Sequence, residues 1–393
     1  MSSFEDFLQS QLRQITEAGL LRKPSMVSPA QGSVVQSGGQ TLQNFSSNDY
    51  LGLANHPAVK KAAQEAIDRA GAGTGASRLI CGTLPEHLQL EADVARFKRC
   101  EAALGFSSGY AAAMGAIPAL MGKGDVIILD KLCHACLVDG AHLSGATLRV
   151  FPHNDLSALE SRLLWARKTH PQAKVLVLAE SVYSMDGDLA LLSEIVELKD
   201  RHGAWLLLDE AHGVGVLGEG GRGLADAVGV AHRVELQMGT LGKALGSSGA
   251  YLCGAASLRE FLVNRARSFV FSTAPPPSAA AAASAAIALL SDPHTAGNLI
   301  SSLHKNVQRL CMNLQLPPSP SPIVPIILGA EETAMQSSAR LREAGFLVPA
   351  IRFPTVARGQ ARLRITLSSG HTDTAIDDLA SAIRESSTNS HFE

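Results

Sequence analysis

The hydrophobic pattern of the central part of the chain predicts helices that alternate with short buried strands. Two helical stretches begin at Pro57 and Pro85, and proline is favoured in the first turn of a helix. Brief runs rich in Val, Ile and Leu are apolar at nearly every position, which is typical of strands covered on both faces. The predicted strands are residues 126–129, 148–151, 175–178, 205–208, 234–238 and 250–253. Strands and helices in this order indicate an α/β fold built on a mostly parallel sheet.

The two ends of the chain follow other patterns. Residues 1–19 predict an amphipathic helix, whose apolar face is formed by Phe4, Phe7, Leu8, Leu12 and Ile15. The alternation stops at the three prolines 275–277, and a long helix and a strand–helix–strand–helix order follow after residue 292. We therefore predict an N-terminal helix and arm (1–45), a large domain (46–290) and a smaller α+β C-terminal domain (291–393).

Composition excludes several classes of protein. The 393 residues are 46% hydrophobic and 18% charged, which rules out global disorder and a coiled coil. The formal net charge of −2 lacks the basic excess of a nucleic-acid binder, so no nucleic-acid partner is expected. Because the charged fraction falls below the usual quarter, we expect part of the surface to be covered by another subunit.

Cysteine usage and the N-terminus predict a soluble cytoplasmic protein with no membrane partner. The six cysteines are irregularly spaced in a long chain, so they do not form a disulfide framework. The N-terminus carries two early acids and lacks the apolar core of a secretory signal. The longest apolar run, residues 279–290, is alanine-rich and shorter than the ~20 residues of a membrane span, which predicts a buried helix.

A G-x-G-x-x-G pattern at Gly213, Gly215 and Gly218 follows a predicted strand, as in nicotinamide-binding folds. That function requires a helix to open on the glycines, but the next residues, 219–223, are too glycine-rich to begin one. We therefore favour a glycine-rich loop at the site, and a nicotinamide-dependent dehydrogenase is the alternative outside the main hypothesis.

Two further motifs do not carry the function that they suggest. The helicase-like DEAH at 209–212 has no accompanying phosphate loop, since Gln237 and Ala244 occupy key positions of the only candidate. Cys133 and Cys136 have redox-like spacing around a histidine, but no second Cys/His pair lies nearby to complete a zinc site. No metal is expected.

Polar residues come directly after four of the predicted strands, at 130–134, 180–184, 209–212 and 239–243. In doubly wound sheets a ligand binds at the carboxyl ends of the strands, so these residues are expected to share one rim. Carboxylate, imidazole, hydroxyl and amine groups therefore converge there. This convergence is the main indication of a catalytic site.

Lys243 is the candidate reactive amine. It lies in a stretch of small residues, 239–249, where a planar ligand can approach the backbone closely. Burial lowers the pKa of a lysine and frees the amine for Schiff-base chemistry. The alternative interpretation is a solvated surface lysine.

Asp209 ends a predicted strand, and a buried carboxylate there needs a partner such as a protonated pyridine ring. His212 and Ser184 are candidate hydrogen-bond donors to a phenolic oxygen of that ring, and His134 is a candidate to stack on it. Glu180 lies on the same rim and is included among the cofactor-binding candidates. Each histidine taken alone is more often structural.

A phosphate group needs backbone N–H groups at the start of a helix. Ser108, Gly109 and Tyr110 supply them directly before the helical stretch 111–121, and Thr240 adds a hydroxyl near the lysine. The sequence therefore contains candidates for an amine, a ring and a phosphate site.

Five motifs together resemble one family. They are FSSNDYLGL (45–53), GTGASRLI (73–80), SVYSMDG (181–187), DEAHG (209–213) and TLGK (240–243). In these motifs the chain is similar to the α-oxoamine synthases, pyridoxal 5′-phosphate enzymes of the aspartate-aminotransferase-like fold (fold type I). The resemblance runs from about residue 40 to about residue 380, and the combination is far more specific than any single motif.

The resemblance implies a decarboxylative Claisen condensation. Lys243 would remove the α-proton of an amino acid held on the cofactor, and the resulting carbanion would attack an acyl-CoA before the β-keto acid loses CO₂. Arg364 would hold the amino-acid carboxylate, for which a planar guanidinium is suited; its other interpretation is a surface charge on a strand. Asn48 and Arg22 are weaker substrate-binding candidates.

The family site lies between two subunits of a homodimer, and Ser272 and Thr273 resemble the residues that reach the neighbouring subunit's phosphate. Among substrates, the resemblance favours L-alanine and a pimeloyl thioester, carried by CoA or by a carrier protein, with biotin synthesis as the purpose. Ser77, Arg352 and Thr355 belong to the local features that favour this choice and are substrate-binding candidates. Glycine C-acetyltransferase and 5-aminolevulinate synthase activities are the alternatives within the family.

Overall fold

The computed structural model describes residues 3–388 of the chain. Within them the α-helices are α1 (Phe4–Glu17), α2 (Pro57–Ala70), α3 (Pro85–Lys98), α4 (Gly109–Leu120), α5 (Ala135–Ser144), α6 (Leu156–Thr169), α7 (Leu192–Arg201), α8 (Leu224–Ala227), α9 (Ala256–Arg265), α10 (Arg267–Val270), α11 (Pro277–Ser291), α12 (Pro293–Asn313), α13 (Glu331–Glu343) and α14 (Asp373–Thr388). The strands are β1 (Val34–Ser37), β2 (Gln40–Asn44), β3 (Ala102–Phe106), β4 (Val126–Asp130), β5 (Thr147–Phe151), β6 (Val175–Glu180), β7 (Trp205–Asp209), β8 (Leu236–Thr240), β9 (Ala250–Gly254), β10 (Ile323–Gly329), β11 (Phe346–Leu347), β12 (Ala350–Ile351) and β13 (Ala361–Thr366).

A seven-stranded sheet in the order β3-β9-β8-β7-β6-β4-β5 forms the centre of the molecule. Strands β4 to β8 run parallel to one another, whereas β9 is antiparallel to both β8 and β3. Every residue of β4 and β6 is buried, as expected for strands covered by helices on both faces. The predicted mostly parallel α/β sheet is confirmed.

Each of the six predicted strands is present, with ends that shift by one or two residues. Strand β3, however, is absent from the sequence-based prediction. Its residues Ala102–Phe106 include no β-branched side chain, so the local pattern is weak, and it is antiparallel pairing with β9 that makes it a strand.

Two small sheets lie outside the central one. Strands β10, β13 and β12 form an antiparallel sheet. Strands β1, β2 and β11 form a mixed sheet, in which β2 is antiparallel to β1 and parallel to β11. The N-terminal arm is therefore hydrogen-bonded to residues 345–347. The three-part domain division stays a prediction.

The two helices with the most distinctive compositions behave differently. The alanine-rich α11 is buried as predicted and packs against α2 and α3, where small side chains allow close approach. The predicted amphipathic helix α1 forms, with a capping box between Ser3 and Asp6, but no residue of it is buried in the described chain. Its apolar face, from Phe4 to Ile15, remains exposed. None of the described helices combines the length and apolar character needed to cross a bilayer.

The parallel strands bring Asp130, Glu180, Asp209 and Thr240 to one rim of the sheet, because each is the last residue of its strand. The chain after β8 carries Lys243 along this rim. Its course is restricted by Gly246, which lies against the backbone of Leu53 and Ala54. The sheet and the N-terminal segment together therefore position the lysine.

Gly246 provides a test of this packing. Its φ is +60°, and a Cβ atom placed there would lie 2.3 Å from the nitrogen of Ala54. Gly145, at the end of α5, has φ +71° with no heavy atom within 4 Å of such a Cβ, and is the matched control. We expect Gly145→Ala to cost about 1–2 kcal/mol of backbone strain, and Gly246→Ala to cost about 1–3 kcal/mol more through overpacking. Equal decreases in thermal unfolding midpoint would contradict this.

Candidate active site

Lys243 lies between two neighbouring cavities. The first, of about 190 Å³, is lined by eight of the predicted site residues: Gly109, Tyr110, His134, Glu180, Asp209, His212, Thr240 and Lys243. The second, of about 410 Å³, is lined by Lys243 together with polar residues of the N-terminal segment that include Asn48. Larger cavities of about 910 and 760 Å³ occur elsewhere, but none of these predicted residues lines them.

A chain of hydrogen bonds begins at the amine of Lys243. The Nζ atom lies 2.8 Å from Nε2 of His212, and Nδ1 of the same ring lies 2.5 Å from the hydroxyl of Tyr50. The Tyr50 hydroxyl donates to Oδ1 of Asn48 at 3.3 Å. Because the amine donates to Nε2, this network assigns the ring proton to Nδ1, which donates to Tyr50.

Burial keeps His212 and Tyr50, the middle members of this hydrogen-bond chain, neutral. It lowers the pKa of His212 well below its usual range, and the nearby charge of Lys243 lowers it further. Burial also raises the pKa of Tyr50 to about 12. His212 therefore acts as a neutral relay of fixed tautomer between Lys243 and Tyr50.

Arg364 lies at the other end of this hydrogen-bond chain. Its Nη atoms donate to Oδ1 of Asn48 at 3.2 Å, and its Nε donates to the carbonyl oxygen of Ser184 at 2.6 Å. A further bond reaches the hydroxyl of Thr366 at 2.9 Å. The guanidinium is buried, yet among the described residues it has no carboxylate partner within ion-pair distance. Such a group is prepared to receive an anion.

Two carboxylates face each other at the rim. Glu180 and Asp209 are paired across β6 and β7, and both are buried. The backbone N–H of His134 donates to Glu180, and Asp209 accepts a bond of 2.8 Å from the N–H of Ala211. Neither carboxylate forms an ion pair in the part of the chain that the structure describes.

The charges of this group are coupled. Burial raises the pKa of Asp209, while Lys243 opposes the rise. Burial and the charge of Asp209 both raise the pKa of Glu180. Burial lowers the pKa of Lys243, against the attraction of the two carboxylates. The site thus places two carboxylates without ion-pair partners among the described residues beside an amine whose neutral form is favoured by burial.

His134 presents its ring beside these groups. It is the N-cap of α5, where its Nδ1 accepts the N–H of Cys136 at 3.2 Å and lies 3.1 Å from the Cys136 sulfur. The ring is exposed, and burial of its inner part together with Lys243 lowers its pKa. A neutral ring with a free face is suited to stacking on a planar ligand.

The N-terminus of α4 opens towards the same cavity. Ser108 caps this helix by accepting the N–H of Ala111 at 3.0 Å, and a Cβ atom at Gly109 would meet no heavy atom within 4 Å. Tyr110 donates its hydroxyl to Asp139 at 2.6 Å, so its backbone rather than its side chain is available. Open backbone N–H groups at a helix start suit a phosphate.

Thr240 shapes the lysine loop. Its hydroxyl donates to the carbonyl oxygen of Gly249 at 3.2 Å and accepts the N–H of Gly242 at 3.2 Å. Ser184 contributes its carbonyl oxygen, which accepts a hydrogen bond from Nε of Arg364. The predicted ring contact of the Ser184 hydroxyl stays a prediction.

Besides Ser108, Ser184 and Arg364, described above, six predicted residues do not line the two cavities. Ser77 pairs with Thr273 through an isolated backbone bridge, and Ser272 and Thr273 line a separate small pocket with Ser107. Arg352 donates to the carbonyl oxygen of Gly19, and Thr355 lies in the turn that follows Arg352. Arg22 is exposed on the segment after α1.

Sequence reasoning missed two buried residues. Tyr50 joins His212 to Asn48, and its signal was its place in the FSSNDYLGL motif. Glu210, adjacent to Asp209, accepts the N–H groups of Leu224 and Ala225 at 3.0 and 2.9 Å. No local pattern indicates such long-range backbone contacts.

Glu210 also explains the glycine-rich loop. A Cβ atom at Gly213 would lie 2.3 Å from its Oε2, and one at Gly223 would lie 2.6 Å from its carboxyl carbon. The segment after Gly218 forms a three-residue 3-10 turn, Glu219–Gly221, and no α-helix opens there. Gly213 and Gly223 therefore leave room for a buried carboxylate. In residues 3–388 no cluster of His, Cys, Asp and Glu side chains could hold a metal ion.

Comparison with known proteins adds independent findings. The family model described as aminotransferase class I and II matches residues 40–383. The chain is 46% identical to the 8-amino-7-oxononanoate synthase of Maricaulis maris, covering 98% of this chain and 96% of the relative. It is 47% identical to that of Geobacter sulfurreducens, covering 96% of both. A serine palmitoyltransferase from S. paucimobilis, solved with bound PLP, superposes with a TM-score of 0.91 at 28% identity, covering 98% of this chain and 97% of that one.

The lowered pKa of Lys243 predicts its chemical reactivity. In protein freed of bound cofactor, we expect acetic anhydride to modify Lys243 with a pH midpoint below that of an exposed lysine, because burial favours its neutral amine. Exposed Lys123 is the internal reference. Peptide mass spectrometry across a pH series measures both residues together. Modification of Lys243 only at the same or higher pH than Lys123 would contradict the assignment.

Proposed function

Because the chain belongs to the class I and II aminotransferase family and, within it, to the α-oxoamine synthases, we propose that it condenses L-alanine with a pimeloyl thioester. The product is 8-amino-7-oxononanoate, a precursor for biotin synthesis. The observation that carries this proposal is the hydrogen-bond chain that joins the Lys243 amine to the buried, carboxylate-free guanidinium of Arg364.

The donor set fits pyridoxal 5′-phosphate, the cofactor of this enzyme class. The buried carboxylate of Asp209, which has no ion-pair partner among the described residues, suits the ring nitrogen. The open N-terminus of α4 suits the phosphate. Lys243 would supply the amine, and the exposed ring of His134 would stack on the cofactor ring. When bound, the cofactor supplies an electron sink for a carbanion at the amino-acid α-carbon.

Arg364 and Lys243 then act on the carboxylate and on the α-carbon of the amino acid, respectively. The guanidinium of Arg364 binds the substrate carboxylate. The Oδ1 atom of Asn48 holds this guanidinium in place, and it also accepts a hydrogen bond from the Tyr50 hydroxyl. The neutral amine of Lys243 removes the α-proton, for which burial has already lowered its pKa. His212, kept neutral, holds the amine in place.

The second cavity suits the acyl thioester. It adjoins Lys243 and is lined by Ser46, Ser47 and Asn48, whose polar groups can hydrogen-bond a thioester carbonyl. A carbon–carbon bond forms between the alanine α-carbon and the thioester carbonyl carbon, and the thiol leaves with a proton. The alanine carboxylate then leaves as CO₂, and a proton from solvent takes its place on the α-carbon, so the overall condensation consumes one proton.

We place the enzyme in the cytoplasm as a homodimer. All six cysteines are unpaired thiols, as is usual for proteins of a reducing compartment. Ser272 and Thr273 lie outside the cavity around Lys243, and in the dimer they complete the phosphate site of the partner.

Product analysis tests the reaction. We expect purified enzyme with added pyridoxal phosphate to form 8-amino-7-oxononanoate from L-alanine and pimeloyl-CoA or pimeloyl carrier protein, detected by mass spectrometry. Glycine and serine, offered with acetyl-CoA, succinyl-CoA and palmitoyl-CoA, are the comparison substrates. Turnover with glycine and a short acyl chain but not with alanine would overturn the substrate assignment.

The role of Asp209 has its own test. We expect Asp209→Asn to bind cofactor weakly but to lose α-proton exchange of alanine in D₂O by about 10²-fold or more, because the carbanion loses its electron sink. NMR follows the exchange without any acyl substrate. Unchanged exchange in this variant would refute the role.

Mixed variants test the shared site. Lys243→Ala and Thr273→Ala homodimers are each expected to lose most of their activity. When both chains are refolded together, part of the activity should return, because each mixed dimer retains one site with both residues intact. No recovery, with mixed dimers confirmed by tagged chains, would contradict the shared site.

A further inference from the structure

A polar cluster behind the rim is not used by the proposed chemistry. His153, just after β5, lies between two carboxylates: its Nδ1 is 3.1 Å from Asp130, and its Nε2 is 2.6 Å from Asp188. The ring also meets the edge of Tyr183, with 4.3 Å between ring centroids. Asp130 and Tyr183 are almost fully buried.

One side of this cluster is hydrogen-bonded to the segment that carries His134. Asp130 ends β4, and its carboxylate accepts the N–H of Leu132 at 2.8 Å, two residues before His134. The same carboxylate accepts the N–H of Asn154 at 3.0 Å. Asn154 has a left-handed φ of +53°, a conformation that asparagine tolerates and that turns its N–H towards Asp130.

The other side of the cluster belongs to the turn to which Arg364 is hydrogen-bonded. Asp188 closes this turn, since its carbonyl oxygen accepts the N–H of Tyr183 at 3.0 Å. Within the turn, the carbonyl oxygen of Ser184 accepts a hydrogen bond from Nε of Arg364, and Oδ1 of Asp186 lies 2.6 Å from Nη1 of Arg362. The side chain of Asn154 also donates to the carbonyl oxygen of Leu189 at 3.0 Å.

We propose that His153 is a positioning residue that clamps the His134 segment to the Arg364 turn, and so sets the spacing between the cofactor-stacking ring and the substrate-binding guanidinium. This inference rests on the proposed function. His153 touches neither cavity, so it acts only through these two segments.

The charge of His153 supports this role. Burial alone would lower its pKa, but hydrogen bonds and the charges of Asp130 and Asp188 raise it to about 10. Other titratable groups that face the cluster are the Tyr183 phenol, the Cys133 thiol beside it and the Glu180 carboxyl, and burial raises the pKa of all three. The ring is therefore an imidazolium at neutral pH, bound on both sides.

A stability measurement tests the clamp without any activity. A base whose pKa is higher in the folded than in the unfolded state adds stability that is complete below its unfolded pKa, near 6.5, and is lost as the pH rises through 10. The Tm difference between wild type and His153→Gln should therefore be largest at pH 6 and shrink towards pH 10. A difference that does not depend on pH would overturn the charged clamp.

A binding measurement separates positioning from a merely structural role. In holoenzyme His153→Gln, we expect the Kd for L-alanine, from the visible absorbance change of the cofactor, to rise about 10- to 100-fold. The visible circular dichroism of bound pyridoxal phosphate should change as well. His142→Gln, an exposed histidine on α5, is the matched control and should equal wild type within twofold.

Each outcome has a definite meaning. His153→Gln with lowered Tm but unchanged alanine Kd and unchanged circular dichroism would overturn the proposal. Where this variant does not fold, Asp188→Asn, which removes one charge from a half-exposed side chain, is expected to show the same effects more weakly. A wild type that binds no pyridoxal phosphate would instead refute the proposed function, and the pH series would still test the clamp.

Discussion

The site depends on one hydrogen-bond chain, from Lys243 through His212, Tyr50 and Asn48 to Arg364, whose members His212, Tyr50 and Arg364 are buried. Its members come from the loop after β8, the segment after β7, the N-terminal segment and β13. A buried polar group without a partner costs about 1–3 kcal/mol, so loss of one member leaves its neighbours unsatisfied. The chain therefore holds four separate parts of the protein in register around one amine.

The charges around this chain are arranged for chemistry at the expense of stability. Glu180 and Asp209 lie opposite each other in the core without ion-pair partners among the described residues, and burial raises the pKa of both. By contrast, Asp130 has a charged partner in His153, and its pKa stays low despite burial. Asp130 is therefore paired with a charged group of the same protein, whereas Glu180 and Asp209 have no such partner among the described residues and remain open to a ligand.

Much of the site could be predicted because the strands are parallel. Consecutive parallel strands end at the same edge, so the residues after each apolar run, such as Asp209 and His134, had to converge there. The same reasoning could not find Tyr50 or His153, which lie in irregular segments and reach the rim through contacts distant in sequence. Nor could it find β3, whose small residues become a strand only beside β9.

By itself, the sequence determined the mostly parallel sheet, the rim that carries the polar residues, and the identity of the candidate amine and carboxylate. Local patterns suffice for these features, because burial on both faces and position after a strand leave their signature within a few residues. The guanidinium of Arg364 was indicated only by the resemblance to a family. Only the tertiary structure decided which groups share a proton, which carboxylate is paired, and where Arg364 is held. Those properties arise from distances between segments, and burial changes the pKa of each group only after the chain has folded around it.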